Sequence, residues 1–379
     1  MATRRHKLIH YYEDGEWELF DRETDPHELR SLYGRPEVAA LQRGLLRELE
    51  RLRRQLGVPA RDNDAGRHPL YRPPPPLPPG NSIRPEVVVR DIAFAEGPAI
   101  DAAGNLYFVN FERRGTIGKR TPAGDVSLFV DLLDHLPVEG KRKPRLNGLK
   151  VSDDGSLVGA DVGTGKLVAV SKDGKQVDVL AHSVGGERLA GVNDLALDKK
   201  GNIYFTVPDQ HRVCRFHRES GVTEVVVEIP TGRPNGVGVT PTGRYLLVND
   251  SANLRTFIAD LYDGEVRDLR ELIDFKPRGT PDDLTPAARR RLRQRIGTPD
   301  GMIFDAHGRV YIALWEGGVV HAVTVPQGRI IETYKTGGRR TTNAHFHSGD
   351  LYVTVADLGQ IVKLPLGVRG WKYSKGASE

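Results

Sequence analysis

A chain of 379 residues with 42 glycines, 25 prolines and 38% hydrophobic residues is long enough for one large β-rich domain and a smaller appendage. Its one cysteine, Cys214, excludes an internal disulfide framework and a cysteine zinc site, and the lack of an 18-residue apolar run excludes a membrane-spanning helix. The net charge of +5 is made of interspersed charges of both signs, which argues against a nucleic-acid surface, and no apolar run with a small-residue cleavage site follows Met1-Ala-Thr-Arg-Arg, so a cytoplasmic protein with no membrane or nucleic-acid partner is expected.

Residues 1–70 differ in character from the rest. Lys7-Leu-Ile-His-Tyr-Tyr and Glu16-Trp-Glu-Leu-Phe-Asp flank Glu13-Asp-Gly and predict a β-hairpin. Asp25-Pro-His-Glu-Leu predicts a turn. Val38, Leu41, Leu45, Leu46, Leu49, Leu52 and Leu56 then recur at helical spacing, behind Pro36 and ahead of Gly57. A hairpin and one helix bury little apolar surface, so this piece is not expected to be stable alone. These motifs resemble the C-terminal tail of the bacterial sulfatase family. The Cys/Ser-x-Pro-x-Arg motif of a sulfatase core is missing, so the resemblance implies a structural appendage and no sulfatase activity.

Arg72-Pro-Pro-Pro-Pro-Leu-Pro-Pro-Gly predicts a stiff extended linker over residues 71–84. From residue 85 to about 370 one unit recurs. A polar residue opens it, a short apolar run follows, a turn comes eight residues on at a glycine, and a second apolar run closes it. The copies begin at Glu96, Asn147, Asn193, Asn235 and Asp300, with turns at Gly104, Gly155, Gly201, Gly243 and Gly308; a shorter sixth begins at Asn343 and turns at Gly349. Strand–turn–strand units repeating every ~40–50 residues predict an all-β, six-bladed β-propeller. Val87-Val-Val-Arg-Asp-Ile-Ala-Phe is expected to complete the last blade and close the ring.

The opening positions hold Glu, Asn, Asn, Asn, Asp and Asn. Equivalent positions on innermost strands ring a propeller's channel, so their oxygens can converge on a hard divalent cation. Asn-Gly and Asp-Gly are also ordinary turn dipeptides, a reading that leaves the shared spacing and Glu96 unexplained. The long gap between Asn235 and Asp300 contains a basic stretch, Thr285-Pro-Ala-Ala-Arg-Arg-Arg-Leu-Arg-Gln-Arg, expected as a short helix or loop near the channel mouth. It is either a lid that attracts anions or a solvated surface helix.

Glu96-Gly-Pro-Ala, Arg145-Leu-Asn-Gly, Val192-Asn-Asp-Leu, Pro234-Asn-Gly-Val with Asn249-Asp-Ser, and Pro299-Asp-Gly-Met with Asp305-Ala-His-Gly resemble, in order, the senescence marker protein/gluconolactonase (regucalcin-like) family. The resemblance implies a channel metal held by Glu96, Asn193, Asn235 and Asp300, with Ca²⁺ preferred over Zn²⁺, Mn²⁺ or Mg²⁺, and a small-molecule lactone contacted by Arg145 and Asn147. Gly148-Leu replaces the Asp-Gly of animal members, so no sugar preference is carried over. The expected reaction is lactone hydrolysis, with Asp300, or Asp250 behind it, as general base. His345 and His347 share a strand face with Asn343, so both can face the channel, and His345 is a further candidate for substrate contact. No Gly-x-Ser-x-Gly or nucleotide-binding fingerprint competes. The alternative is a non-catalytic propeller that binds a ligand or protein.

Overall fold

The computed structural model describes residues 1–11, 16–28, 31–55, 74–262, 264–281 and 284–378. The chain divides into two compact units, Met1–Pro76 and Leu77–Glu379. In the first, His6–Tyr11 pairs with Glu16–Asp21, with Leu8 opposite Leu19. The predicted Glu13-Asp14-Gly15 turn lies outside the described residues. A 3₁₀ turn over Pro36–Val38 leads into helix α1 (Ala39–Gln55). Leu45 of α1 packs on Leu8 and Leu19, with Trp17, Tyr33, Leu41 and Leu49 around them. The helical spacing of those leucines places one apolar stripe against the hairpin.

The second unit contains six four-stranded antiparallel sheets. Their innermost strands are Glu96–Ile100, Leu146–Val151, Leu195–Leu197, Pro234–Val239, Thr298–Phe304 and Thr341–His347. Each innermost strand neighbours the next, and the sixth neighbours the first, so the blades form a closed ring. Closure follows the sequence expectation: Glu86–Val89 is the outermost strand of the sixth blade, with Val89 opposite Ile361. The predicted turn glycines fall in the hairpins that follow the innermost strands. All six have positive φ, from 73° at Gly243 to 86° at Gly349, which only glycine adopts without strain. Cys214 is buried in the third blade, where burial pushes its thiol up to about 12.

Two features went beyond the sequence reading. The second half of the proline-rich stretch lies on the fifth blade: Tyr334 donates to the Pro78 carbonyl at 3.1 Å, and the Gly80 N–H donates to Glu332 at 2.9 Å. The C-terminal tail runs across the far ends of the innermost strands. Its Trp371 N–H donates to the Phe304 carbonyl, the Tyr373 hydroxyl accepts from Val151 N–H, and Ser378 donates from N–H to the Ile100 carbonyl and from its hydroxyl to that of Phe346. Those four partners belong to the fifth, second, first and sixth blades, so the tail covers that end of the channel. Helix α2 (Pro286–Ile296) occupies the basic insertion, capped by the Thr285 hydroxyl and ended at Gly297 with φ 85°. Arg293 donates to the Ala252 carbonyl and Arg339 to that of Gln294, which sets α2 at the end where the innermost strands begin. No helix among the described residues is long and apolar enough to cross a membrane.

Candidate metal centre

The opening residues do not sit in turns. In five blades they sit at a bulge on the innermost strand, and in the third Asn193 stands just ahead of it. Register shifts fall between Glu96 and Ala99, Leu146 and Leu149, Pro234 and Val237, Pro299 and Met302, and Thr341 and Ala344. A bulge re-aims side chains at a sheet end, and here it does so five times around one axis.

A glycine follows four of the opening residues, and the neighbouring blade requires it. A Cβ on Gly97 would lie 2.3 Å from the Asn147 carbonyl oxygen, and one on Gly236 would lie 2.1 Å from that of Asp300. Buried polar side chains staple three of the blades to their neighbours. Asn110 donates to the Leu146 carbonyl at 3.1 Å, Asn249 to that of Asp300 at 2.5 Å, and Thr342 to that of Ala95 at 3.1 Å. Asn-Gly and Asp-Gly are thus packing devices in this protein.

The register corrects the sixth copy. Ala344 lies opposite Val353 as Val237 lies opposite Val248, which makes Thr342 the counterpart of Asn235 and moves Asn343 one place on. Asp194 occupies the same shifted place in the third blade, where Leu195 lies opposite Phe205. Both backbone N–H groups donate to a threonine hydroxyl, Asn343 to Thr354 and Asp194 to Thr206. Gly148 and Gly301 make room for these side chains: an added Cβ would lie 2.4 Å from Asp194 Oδ1 and 2.3 Å from Asn343 Cγ. The third and sixth blades face each other across the ring, and Asn343 Nδ2 donates to Asp194 Oδ2 at 3.3 Å.

Glu96, Asp194 and Asp300 are 3%, 2% and 7% exposed. Burial raises the pKa of all three; for Glu96 the charges of Asp300 and Asp194 add to it, and for Asp300 that of Asp194. Lys150, 4% exposed, offsets part of this negative charge, and its own pKa is drawn down by burial. The Glu96 carboxylate accepts the Gly97 N–H at 2.7 Å and the Asn147 amide at 3.5 Å, and the Asn235 amide donates to Asp300. Asn193 Oδ1 is buried without a hydrogen-bond partner among the described residues. An unpartnered carbonyl oxygen beside mutually repelling carboxylates is a donor set suited to a hard cation. Among the described residues no three His, Cys, Asp or Glu side chains form a metal cluster by themselves. The set expected from the sequence, Glu96, Asn193, Asn235 and Asp300, has two carboxylates and two neutral amides.

Other sequence candidates fall differently. Arg145 stands exposed on the rim, its N–H held by Asp161 at 2.8 Å. Asp250 is spent on its own turn: Oδ1 accepts the N–H groups of Arg233, Ala252 and Asn253, and Oδ2 accepts the Asn253 amide. That saturation removes it as a general base. His345 is buried below the slot residues, with Nε2 3.4 Å from the Ser378 hydroxyl and its ring against Tyr373. Burial, and then the charge of Lys150, hold its pKa well below the usual value, so it is a neutral residue of the channel's covered end, not a rim contact. His347 is half-buried near Tyr352.

Residues 94–357 match the SMP-30/Gluconolactonase/LRE-like region, and residues 1–55 match the C-terminal part of N-sulphoglucosamine sulphohydrolase. A gluconolactonase of Zymomonas mobilis is 27% identical over 266 residues, 65% of this chain and 70% of that protein. Diisopropyl-fluorophosphatase of Loligo vulgaris is 35% identical over 133 residues, 32% of this chain and 39% of its own length. The amino-terminal segment is 40% identical over 65 residues to an N-acetylglucosamine-6-O-sulfatase of Bacteroides thetaiotaomicron, 17% of this chain and 11% of that enzyme. A gluconolactonase structure from Xanthomonas campestris superposes with a TM-score of 0.61 at 20% identity, covering 78% of this chain and 99% of that one, and shares the fold. With six closed blades and a match that spans most of the propeller, the chain belongs to the SMP-30/gluconolactonase/LRE-like family.

Proposed function

We propose that the protein is a divalent-metal-dependent hydrolase that opens lactones at the uncovered end of its channel. What supports this reading is the mutual repulsion of the buried carboxylates Glu96 and Asp300, together with the buried, unpartnered Asn193 oxygen, in a propeller of this family. Glu96, Asn193, Asn235 and Asp300 would hold the cation, and Ca²⁺ suits an all-oxygen set with two carboxylates. When bound, a divalent cation polarises a carbonyl and eases deprotonation of water.

The chain's residues do the rest. Asn147, already on Glu96, and Arg145 above it orient the lactone's oxygens. Asp300 accepts a proton from water as its oxygen adds to the lactone carbonyl. The ring C–O bond then breaks, and the proton passes to the departing ring oxygen, leaving a hydroxy acid. Lys150 and Asn343 hold Asp194 in place beneath the reacting group.

The test is hydrolysis of a panel of aldonolactones and aliphatic lactones with Ca²⁺, Zn²⁺, Mn²⁺ or Mg²⁺, with bound metal measured in Asp300→Ala and Glu96→Gln. Turnover that disappears together with bound metal supports the reading. No turnover with any metal returns the protein to the alternative of a non-catalytic binding propeller. The likeness to diisopropyl-fluorophosphatase favours phosphotriester hydrolysis as a second reading of the same centre, and a fluorophosphate substrate in the panel separates the two.

A further inference from the structure

The rim around the candidate centre carries an arrangement that metal binding leaves unexplained. Arg114 lies in the loop after Leu106–Val109 of the first blade, and Arg340 lies just before the sixth innermost strand. The Arg114 guanidinium carbon is 4.2 Å from the centroid of the Phe94 ring, and that of Arg340 is 5.1 Å from the Trp315 ring. The two rings are themselves neighbours at 6.2 Å. Phe94 precedes Glu96 by two residues, and Trp315 lies opposite Thr298, two residues ahead of Asp300. The four side chains therefore form a row, guanidinium, ring, ring, guanidinium, along the edge of the fifth, sixth and first blades. An aromatic face steadies a guanidinium while its N–H fork stays available to a ligand.

Arg145 continues this row toward the second blade. Arg114 feels its charge: burial first, and Arg145 second, lower the Arg114 pKa. Arg113 next door is paired with Asp131, whereas neither Arg114 nor Arg145 forms an ion pair among the described residues. Arg340 has Asp357 beside it, holding its backbone N–H at 2.7 Å. The segments of Arg114 and Arg145 touch, since a Cβ on Gly115 would lie 2.6 Å from the Pro144 carbonyl oxygen, so two guanidiniums without an ion pair flank one contact, and an anion placed there turns their repulsion into attraction.

The geometry points to a substrate that supplies this anion: the preferred lactone carries an oxyanion of its own, a carboxylate or a sulfate ester, held by Arg114 and Arg145 on the Phe94–Trp315 ledge. This inference rests on the lactone-hydrolase reading and names its substrate class. Arg114 acts in specificity, since the reacting carbonyl lies with Glu96 and Asp300.

The full chain, supplied in turn with Ca²⁺, Zn²⁺, Mn²⁺ and Mg²⁺, is assayed on a neutral aldonolactone, a carboxylate-bearing lactone and a sulfated lactone. The readout is kcat/KM for each acidic lactone divided by that for the neutral one. The wild type should favour at least one acidic lactone, and which of the two identifies the oxyanion. Arg114→Gln should lower the ratio about 10-fold or more, chiefly through KM, as expected for a lost hydrogen bond between charged groups. Arg114→Lys should fall between, since it keeps the charge and loses the fork. Added salt should lower the ratio in the wild type more than in Arg114→Gln. Arg329→Gln, which removes an exposed charge from the opposite end, should leave the ratio unchanged. A wild-type preference for the neutral lactone, or equal ratios in wild type and Arg114→Gln, overturns the inference and leaves the hydrolase reading standing. No turnover of any of the three with any metal overturns both.

Discussion

Glu96, Asp194 and Asp300 are three buried carboxylates facing one buried ammonium, Lys150, and that imbalance makes opposite predictions for two residues. Glu96→Gln removes a repelling charge. In the EDTA-treated protein it should raise Tm, and it should abolish the further rise that a divalent ion gives the wild type, about 2.7 kcal/mol at a hundred times Kd. Lys150→Met removes the cation that offsets Glu96 and Asp194 among the described residues. It should lower the EDTA-treated protein's stability by about 3 kcal/mol, with recovery on adding the ion. Scanning calorimetry with and without EDTA checks both. Glu96, Asn147, Asn193, Asn235 and Asp300 stand out in the sequence as opening residues because their spacing to a turn glycine is constant, whereas the choice of metal ligands among them came from the family resemblance. Asp194 does not stand out, because it lies one place beyond the opening residue, where four other blades have glycine, and only strand register reveals its equivalence to Asn343. Lys150 left a signal that could have been used: a lysine between Leu149 and Val151 in an otherwise apolar inner strand.

The blades hold one another by close approach as much as by apolar contact. Gly301 is the clearest case, since its missing side chain is where Asn343 rests. Gly301→Ala should displace Asn343, break its bond to Asp194 and cost about 1–3 kcal/mol. The loss should show in thermal unfolding, together with a change in metal affinity. Gly44, inside α1, has nothing within 4 Å of the position of a Cβ. Gly44→Ala should strengthen the helix by about 0.5–1 kcal/mol and slow hydrogen exchange over residues 39–55, leaving the propeller unaffected. Sequence composition treats these two glycines alike. What separates them is a neighbouring blade, which no local pattern encodes.

The ring itself was readable because it is built six times from one short unit, and because the closing strand Glu86–Val89 is a β-branched run ahead of the first copy. The tail over the far end was not, since residues 367–378 contain one-residue bridges and isolated hydrogen bonds in place of a periodic strand. Acid stability belongs to the molecule as a whole, and His321 gives it a defined window. Burial lowers its pKa to about 4, its ring stacks on Phe275, and Nδ1 meets the Thr333 hydroxyl at 2.9 Å. In the unfolded chain it titrates near 6.5. The unfolded state therefore binds the extra proton first, so stability is complete above pH 6.5 and declines toward pH 4, by at most about 3 kcal/mol from this residue. Denaturation midpoints measured from pH 7.5 to 4 should fall less steeply in His321→Phe.

The covered far end has a kinetic consequence. A torus stopped at its base is a cup, and a cup fills and empties through one opening. On the proposed reaction, each hydroxy acid must leave past Arg114 and Arg145 before another lactone can enter, and it departs bearing a fresh negative charge. Turnover should accordingly slow as product accumulates, by simple competition, and rising ionic strength should relieve that slowing.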